Sequence, residues 1–186
     1  IPGIKGGARS RPVDEIVTET RQLGRRGIKE ICLVAQDTAA YGRDLPEPTD
    51  LFGLLRALDT VETIDWIRLL YLYPDTVDKR LLRSMRESPR VVPYLDIPIQ
   101  HASGAMLRRM RRGHGPERLR RLFETVRERI PGAFIRTTVL VGHPGESERD
   151  FAELMRFLQW AEPDHLGAFR YSDEQGTASY ATGPAV

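Results

Sequence analysis

Residues 134–158, FIRTTVLVGHPGESERDFAELMRFL, decide the fold of this chain. The first part, 134–141, is rich in β-branched and apolar side chains and predicts a strand. The segment 142–146 is typical of a turn, and Ser147 with Asp150 three residues later resembles a helix-capping pattern. Apolar side chains then recur at helical spacing, at Phe151, Leu154, Met155 and Leu158. The stretch therefore predicts one strand–turn–helix unit.

The same alternation extends outward along the chain. Short apolar segments predict further strands at 31–35, 66–72, 94–99 and 165–171. Helical spacing predicts helices between them, beginning at Pro12, Leu51, Leu81, Ser103 (as a cap) and Pro116. Strands that alternate with helices in this way build a parallel sheet with right-handed crossovers. The predicted class is α/β, either an open doubly wound sheet or a full or partial barrel, and the first strand, 31–35, reads as buried on both faces.

Composition limits the class of protein. The 186 residues are 40% apolar and 29% charged, an ordinary globular balance for about one domain. No apolar run is long enough to cross a bilayer. The single cysteine, Cys32, excludes an internal disulfide and any cysteine-built metal or iron–sulfur site made by this chain alone. The net charge of +2 neither requires nor excludes a nucleic-acid partner.

Hydrogen-bonding residues follow every predicted strand. They are Gln36-Asp37-Thr38, Tyr73-Pro74-Asp75, Gln100-His101-Ala102-Ser103, Gly142-His143-Pro144-Gly145-Glu146 and Ser172-Asp173-Glu174. Ligands of parallel α/β folds bind at the carboxyl ends of the strands, so these exits predict a ligand site at one edge of the sheet. The amides of 142–146 suit an anion or the edge of an adenine or ribose. An ordinary connecting turn has the same sequence character.

Polar residues also lie inside two predicted strands. Asp96 is surrounded by apolar neighbours, and Arg136 is followed by Thr137 and Thr138. A buried charge costs roughly several kcal/mol unless it is paired. If Asp96 and Arg136 point into a barrel interior, each must meet the other or a polar ligand. An internal ion pair without a substrate role and a ligand contact both remain open.

Two further groups of residues allow more than one interpretation. His101 and His143 both follow strands and could bind a metal with Asp37, as in a barrel metallohydrolase, although their spacing is a poor metal signature. Between Arg108 and Arg121 there are seven arginines and one acid, Glu117. These arginines are either the solvated faces of two helices or a surface that contacts phosphates, as in an RNA-binding module.

Several stretches resemble one enzyme family. They are 1–12 (IPGIKGGARSRP), 36–42 (QDTAAYG), 93–103 (PYLDIPIQHAS), 110–113 (MRRG) and 136–146 (RTTVLVGHPGE). In this order, and over nearly the whole chain, they resemble the radical S-adenosylmethionine (SAM) methylthiotransferases. Within this family, the sequences of residues 68–74 and 96–103 are most similar to those of the enzymes that add a methylthio group to an aspartate of small-subunit ribosomal protein S-twelve. The tRNA-modifying relatives usually have Gln-Ser-Gly-Ser where this chain has 100–103.

The resemblance implies a partial (β/α)6 TIM-like barrel of the radical SAM type. Residues 1–186 would be its core, with the first strand and the Cys-x3-Cys-x2-Cys loop for the 4Fe–4S cluster upstream of Ile1. A further amino-terminal domain and a carboxy-terminal TRAM domain would flank it, and Cys32 matches none of the cluster ligands. The fragment alone is therefore expected to be inactive, and the parent to act in the cytoplasm on protein S-twelve or the ribosome with an electron donor.

The resemblance also implies SAM as cofactor and assigns its contacts. Gln36, Asp37 and Thr38 would lie near the methionyl end of SAM. Arg136 and Thr138 would reach toward its carboxylate or ribose, and the adenine would lie between the segment 142–146, through Gly142, Pro144 and Glu146, and the backbone of Tyr171.

Asp96 and Gln100 are the expected catalytic residues, near the ribose or the reacting centre. Three positions depart from the family pattern. Many radical SAM enzymes have glycine in place of Thr138, their acid falls one residue before Glu146, and phenylalanine is common in place of His143.

Overall fold

The computed structural model describes residues 7, 9–47 and 49–172. Within them, five strands alternate with six α-helices. The strands are β1 (Glu30–Leu33), β2 (Trp66–Leu69), β3 (Val91–Asp96), β4 (Phe134–Val141) and β5 (His165–Arg170). The helices are α1 (Val13–Arg25), α2 (Leu51–Leu58), α3 (Lys79–Glu87), α4 (Gly104–Arg109), α5 (Pro116–Arg129) and α6 (Glu148–Ala161). The predicted α/β class is confirmed.

The strands form one five-stranded sheet in the order β1-β2-β3-β4-β5. The β1–β2 and β4–β5 pairs are parallel, with Glu30 opposite Trp66 and Arg136 opposite His165. Each connection between two parallel strands contains a helix, which returns the chain to the end of the sheet where the strands begin. The chain divides into two compact units, Ile1–Tyr94 and Leu95–Val186, with the boundary inside β3.

In β2 and β4, alternate residues face the helices and are the more buried ones, whereas no residue of β5 is buried. Ile67 in β2 has no exposed surface, whereas its neighbour Trp66 is 54% exposed. In β4, Ile135, Thr137 and Val139 are buried, and the residues between them are only partly covered. This period of two leaves one apolar face under the helices and a second, more polar face. No helix among the described residues is long and apolar enough to span a membrane.

The structure corrects three expectations from the sequence. β1 is not buried on both faces, because Cys32 and Val34 are exposed while Ile31 packs in the core. β3 ends at Asp96 rather than at residue 99, because its pairing with β4 gains one extra residue between Ile97 and Gln100. Ser103 occupies the N-cap position of α4 but its hydroxyl makes no cap bond; it donates to Asp150 instead.

Other local predictions are confirmed. α2 begins at Leu51 as predicted, β4 has the predicted bounds, and Pro116 occupies the first turn of α5. Ser147 and Asp150 form a reciprocal capping box at the start of α6. These features follow from short-range chemistry, which explains why the sequence alone indicates them.

Candidate functional site

Asp96 and Arg136 meet on the more polar face of the second unit. Nη1 of Arg136 lies 3.0 Å from Oδ1 of Asp96. The Asp96 side chain has no exposed surface, whereas 31% of the Arg136 side chain is exposed. The sequence left open whether each charge meets the other or a polar ligand, and the structure shows that they meet each other. The carboxylate is fixed inside, and part of the guanidinium faces outward, where a further anionic or polar group can meet it.

Thr138 lies two residues along β4 from Arg136, so both side chains share a face. Its partner in the register is Gly167 of β5. A Cβ at position 167 would lie 3.3 Å from the Thr138 hydroxyl oxygen, a tight contact. A side chain at position 167 would therefore crowd this hydroxyl, which lies on the same face as the Asp96–Arg136 pair.

The chain leaves β3 through a bulge that ends in a strained turn. The Ile97 amide donates to the Arg136 carbonyl (2.9 Å), and the Gln100 amide donates to the Thr138 carbonyl (2.9 Å). The two donors are three residues apart, whereas their acceptors in β4 are two residues apart. The segment after β3 therefore contains one extra residue, which is the signature of a bulge. The His101 amide then donates to the Ile99 carbonyl (2.8 Å) around Gln100, whose φ is +66°. This is a γ-turn of the rare, strained kind, and the Gln100 side chain remains half-buried.

The exits of β3 and β4 are joined by a buried carboxylate and imidazole. Glu146 accepts at Oε2 from the Gly142 amide, and its Oε1 lies 3.2 Å from Nε2 of His101. On the other side of the ring, the Ser103 amide donates to Nδ1 of His101 (2.9 Å). Because Nδ1 accepts, the proton must reside on Nε2, which donates to Glu146. Glu146, expected to bind cofactor, thus has both oxygens engaged within the protein.

A second carboxylate extends this network to the start of α6. Asp150 accepts from the hydroxyl of Ser103 and from the amide (3.1 Å) and hydroxyl of Ser147. Burial alone would raise the pKa of Asp150, but the hydrogen bonds from Ser103 and Ser147 outweigh it and hold the pKa below the ordinary value. The exits of β3 and β4 are therefore fastened to one helix end.

The remaining residues predicted near adenine lie at the exit of β4. Pro144 and His143 are buried, and Nδ1 of His143 lies 3.1 Å from the Pro144 carbonyl oxygen. The rings of His143 and Tyr171 meet edge to face, with centroids 5.0 Å apart, and the Tyr171 amide donates to the Val141 carbonyl (2.8 Å). Among the described residues, the buried Tyr171 hydroxyl has no hydrogen-bond partner. A buried polar atom of this kind is typical of a place where a ligand or water binds.

Three predicted residues belong to the first unit, at the exit of β1. Thr38 donates through its amide to the Tyr71 carbonyl (3.1 Å) and through its hydroxyl to the Leu70 carbonyl (2.5 Å). Asp37 accepts from the Thr76 hydroxyl (2.9 Å). These bonds tie the exit of β1 to that of β2, whereas Gln36 is exposed. A common hollow formed by these residues and those of the second unit stays a prediction. Of the predicted fifth exit, Asp173 and Glu174 lie outside the described residues.

The metallohydrolase interpretation is not supported. Both ring nitrogens of His101 are engaged, by Ser103 and by Glu146. Among the described residues there is no group of three or more His, Cys, Asp or Glu side chains placed to hold a metal ion.

The arginine cluster, defined here as the seven arginines from Arg108 to Arg121, lies on α4, α5 and the loop between them. Arg108, Arg109, Arg111 and Arg121 are exposed. A Cβ at position 145 would lie 2.6 Å from Cζ of Arg109, so this guanidinium packs directly on Gly145. The cluster thus adjoins the exit of β4, the end of the sheet where ligands of such folds bind.

Sequence reasoning missed the roles of His101, Ser103 and Asp150. The spacing of Ser103 suggested a cap and that of Asp150 a capping box, and both signals are local. Their contact spans 47 residues of chain, and no pattern in a single sequence encodes it. The only available signal was the number of polar residues packed into two adjacent strand exits.

The radical SAM superfamily model matches residues 2–158 of this chain. The chain belongs to the radical SAM superfamily.

Among curated relatives, the chain is 48% identical to the ribosomal protein uS12 methylthiotransferase RimO of Sorangium cellulosum, over 97% of this chain and 38% of that protein. It is 47% identical to the enzyme of the same name from Aquifex aeolicus, over 100% of this chain and 43% of that protein. The chain thus spans about two fifths of the length of these relatives.

Solved structures show a similar fold at low sequence identity. The radical SAM methyltransferase TsrM from Kitasatospora setae superposes with a TM-score of 0.67 at 16% identity, over 86% of this chain and 31% of that one. Coproporphyrinogen III oxidase (HemN) from Escherichia coli gives a TM-score of 0.63 at 16% identity, over 91% of this chain and 40% of that one. These similarities support the predicted TIM-like α/β architecture.

The Asp96–Arg136 pair is expected to contribute far more to the unfolding free energy than an ion pair on the surface does. Arg136→Leu removes the cation from a carboxylate without exposed surface, and we expect a loss of about 3–5 kcal/mol of unfolding free energy in denaturant melts. Arg83→Leu breaks the exposed Arg83–Glu87 pair and should cost less than about 1 kcal/mol. Adding Asp96→Asn to Arg136→Leu should restore part of the loss, and equal effects of Arg136→Leu and Arg83→Leu would contradict the assignment.

Asp150 should make stability depend on acid pH. Its pKa is lowered in the folded state, so its contribution is complete above the unfolded value, about 3.9, and is lost as the pH falls through the lower folded value. Asp150→Asn should therefore lower the melting temperature at pH 7, and the difference from wild type should shrink below about pH 4. Glu148→Gln is the control, since Glu148 is exposed in the same helical turn. A difference that does not change with pH would refute the role of the Asp150 charge.

Proposed function

We propose that the more polar face of the second unit binds SAM in a radical SAM methylthiotransferase. The observation that carries this proposal is the Asp96–Arg136 pair, whose guanidinium is partly exposed on the face of β4 that also carries Thr138, opposite Gly167 of β5. A buried carboxylate holds the guanidinium in one place, and a fixed guanidinium suits a carboxylate ligand. The pair is therefore a recognition element in this proposal, in addition to its structural role.

The residues present fit SAM by their chemistry. SAM carries a carboxylate, an ammonium, a ribose and an adenine, which require cationic, anionic, hydroxyl and planar partners. The second unit offers Arg136, Thr138 and the Gln100 amide, and near Tyr171 it offers a buried hydroxyl without a partner among the described residues. By resemblance, the methionyl end of SAM would be contacted by Gln36, Asp37 and Thr38. The adenine end would be contacted by Gly142, Pro144 and the backbone of Tyr171.

The residues present do not fit the 4Fe–4S cluster. Cluster binding in this superfamily needs three thiolates, and the chain has one cysteine, Cys32, within β1. We propose that the cluster is held by cysteines outside these 186 residues. SAM, when bound beside such a cluster, supplies the radical that removes hydrogen from a substrate carbon.

The chain's own residues would hold the reactants still and exclude water. A radical reacts with whatever lies near it, so distances between reacting atoms must be fixed. The ion pair, the bulge at Gln100 and the buried Glu146–His101 contact all restrict motion of the β3 and β4 exits. We assign Asp96 and Gln100 to the region of the ribose and the reacting carbon, as the resemblance implies.

The proposed substrate is the aspartate side chain of ribosomal protein uS12, the small-subunit protein S-twelve, at whose β-carbon a methylthio group replaces hydrogen. Two observations support this substrate. Curated relatives that are 47–48% identical over nearly the whole chain share the name of such an enzyme, and the sequence of residues 96–103 resembles that branch of the family. A ribosomal substrate implies a cytoplasmic enzyme supplied with electrons by a separate donor. Methylthiolation of tRNA is the second candidate, because it uses the same superfamily chemistry.

The test uses the complete gene product, reconstituted with iron and sulfide without oxygen and given SAM, a chemical reductant and either ribosomes or tRNA. We expect methylthio-aspartate in the uS12 peptide by mass spectrometry and no modified nucleoside in tRNA. Asp96→Asn should reduce the product at least tenfold, because it removes the charge that fixes Arg136. Asp65→Asn is the matched control, since Asp65 is an exposed partner of Lys29. Product in tRNA alone would overturn the substrate, and full activity of Asp96→Asn would overturn the site.

We also propose that the arginine cluster contacts RNA when the macromolecular substrate binds. The cluster has seven arginines against one acid, and Arg109 links it to the exit of β4 through Gly145. A ribosomal substrate would bring RNA phosphates to this edge, and arginine suits phosphate recognition.

Neutralising three exposed members of the cluster should weaken RNA binding and its salt dependence. For the Arg108→Gln/Arg111→Gln/Arg121→Gln variant of the complete gene product, we expect the slope of log K against log salt to fall by ~1 per lost phosphate contact. The control changes Arg83, Arg86 and Arg149, which are also exposed, to Gln. Filter binding with ribosomal RNA measures both, and equal slopes would refute the contact.

A further inference from the structure

The contact between His101 and Glu146 has hydrogen-bond directions that the backbone dictates. At one end, the Ser103 amide can only donate, and it donates to Nδ1 of His101. At the other end, the Gly142 amide can only donate, and it donates to Glu146. The imidazole must then donate from Nε2, and both oxygens of Glu146 must accept. This single tautomer, facing a Glu146 side chain that accepts at both oxygens, satisfies both backbone amides.

This pair connects two backbone segments that the proposed function uses. Gln100, in its strained γ-turn, directly precedes His101. Gly142, with φ of +74°, directly follows β4 and donates its amide to Glu146. His101 has no exposed surface and Glu146 is 8% exposed. Water therefore cannot easily replace either partner if one is removed, and the two strand exits share one fixed arrangement.

Resting on the proposed function, we infer that Glu146 and His101 are positioning residues that set SAM affinity without touching SAM. They hold the β3 exit and the β4 exit at one separation, so that the groups on Gln100 and at 142–144 meet SAM together. Glu146 therefore acts through Gly142, unlike a residue whose own side chain binds the cofactor.

Glu146→Gln tests the inference because it changes few atoms. A glutamine has one accepting oxygen and a donating amide, so one of the two facing donors must lose its partner. Reversing the imidazole tautomer does not help, since Nδ1–H would then face the Ser103 amide. In the complete gene product with its cluster, we expect SAM affinity by calorimetry to fall at least tenfold. Amide exchange in the peptide covering 142–146 should quicken in the protein without SAM.

Two substitutions of His101 separate positioning from general damage. The amide nitrogen of glutamine can take the place of Nε2, so His101→Gln keeps the donor to Glu146. The amide oxygen of asparagine can take the place of Nδ1, so His101→Asn keeps only the acceptor for Ser103. We expect His101→Gln to retain SAM affinity within about threefold and His101→Asn to resemble Glu146→Gln. Glu148→Gln, an exposed position, is the control for the charge change.

The outcomes are distinct. If wild type binds no SAM, the proposed function fails and the inference fails with it. If wild type binds SAM and Glu146→Gln binds equally well, only the inference fails. If His101→Gln and His101→Asn lose affinity to the same extent, the donor to Glu146 does not position the site, and the inference is also overturned. Should Glu146→Gln prove unfolded by circular dichroism, the His101 pair decides the question alone.

Discussion

The buried carboxylate of Asp96 is the constraint on which the second unit depends. It has no exposed surface, and the guanidinium of Arg136 reaches it across neighbouring strands. A charge in such a place requires its partner, so the register of β3 against β4 is fixed by electrostatics as well as by the ladder. Thr138 shares a face with Arg136 because it lies two residues further along β4, and Gly167 of β5 lies opposite it.

Buried or partly buried carboxylates also hold the segments that follow β3 and β4. Two carboxylates, Glu146 and Asp150, each accept hydrogen bonds from donors that belong to different loops. Carboxylates suit this task because they accept at two oxygens and several donors can converge on them. The ion pair lies on the sheet, and the two carboxylates connect the segments that follow β3 and β4 through hydrogen bonds.

Much of the fold could be predicted because its signals are local. The bounds of β4, the capping box at Ser147 and the first turn at Pro116 all depend on neighbours within a few residues. The need of Asp96 and Arg136 for partners could also be anticipated, although the sequence left open whether each meets the other or a ligand. The bulge after Asp96, the exposure of Cys32 and the contact of Ser103 with Asp150 could not. Each depends on which segments the sheet brings together, and one sequence does not carry that information.

The conformation of Gln100 has a consequence for the stability of the segment that follows β3. A side chain in a γ-turn with positive φ costs of order 1–3 kcal/mol, which a glycine would largely avoid. The chain therefore holds a strained residue at the end of the sheet where ligands of such folds bind, and a glycine there would remove the strain together with the amide side chain.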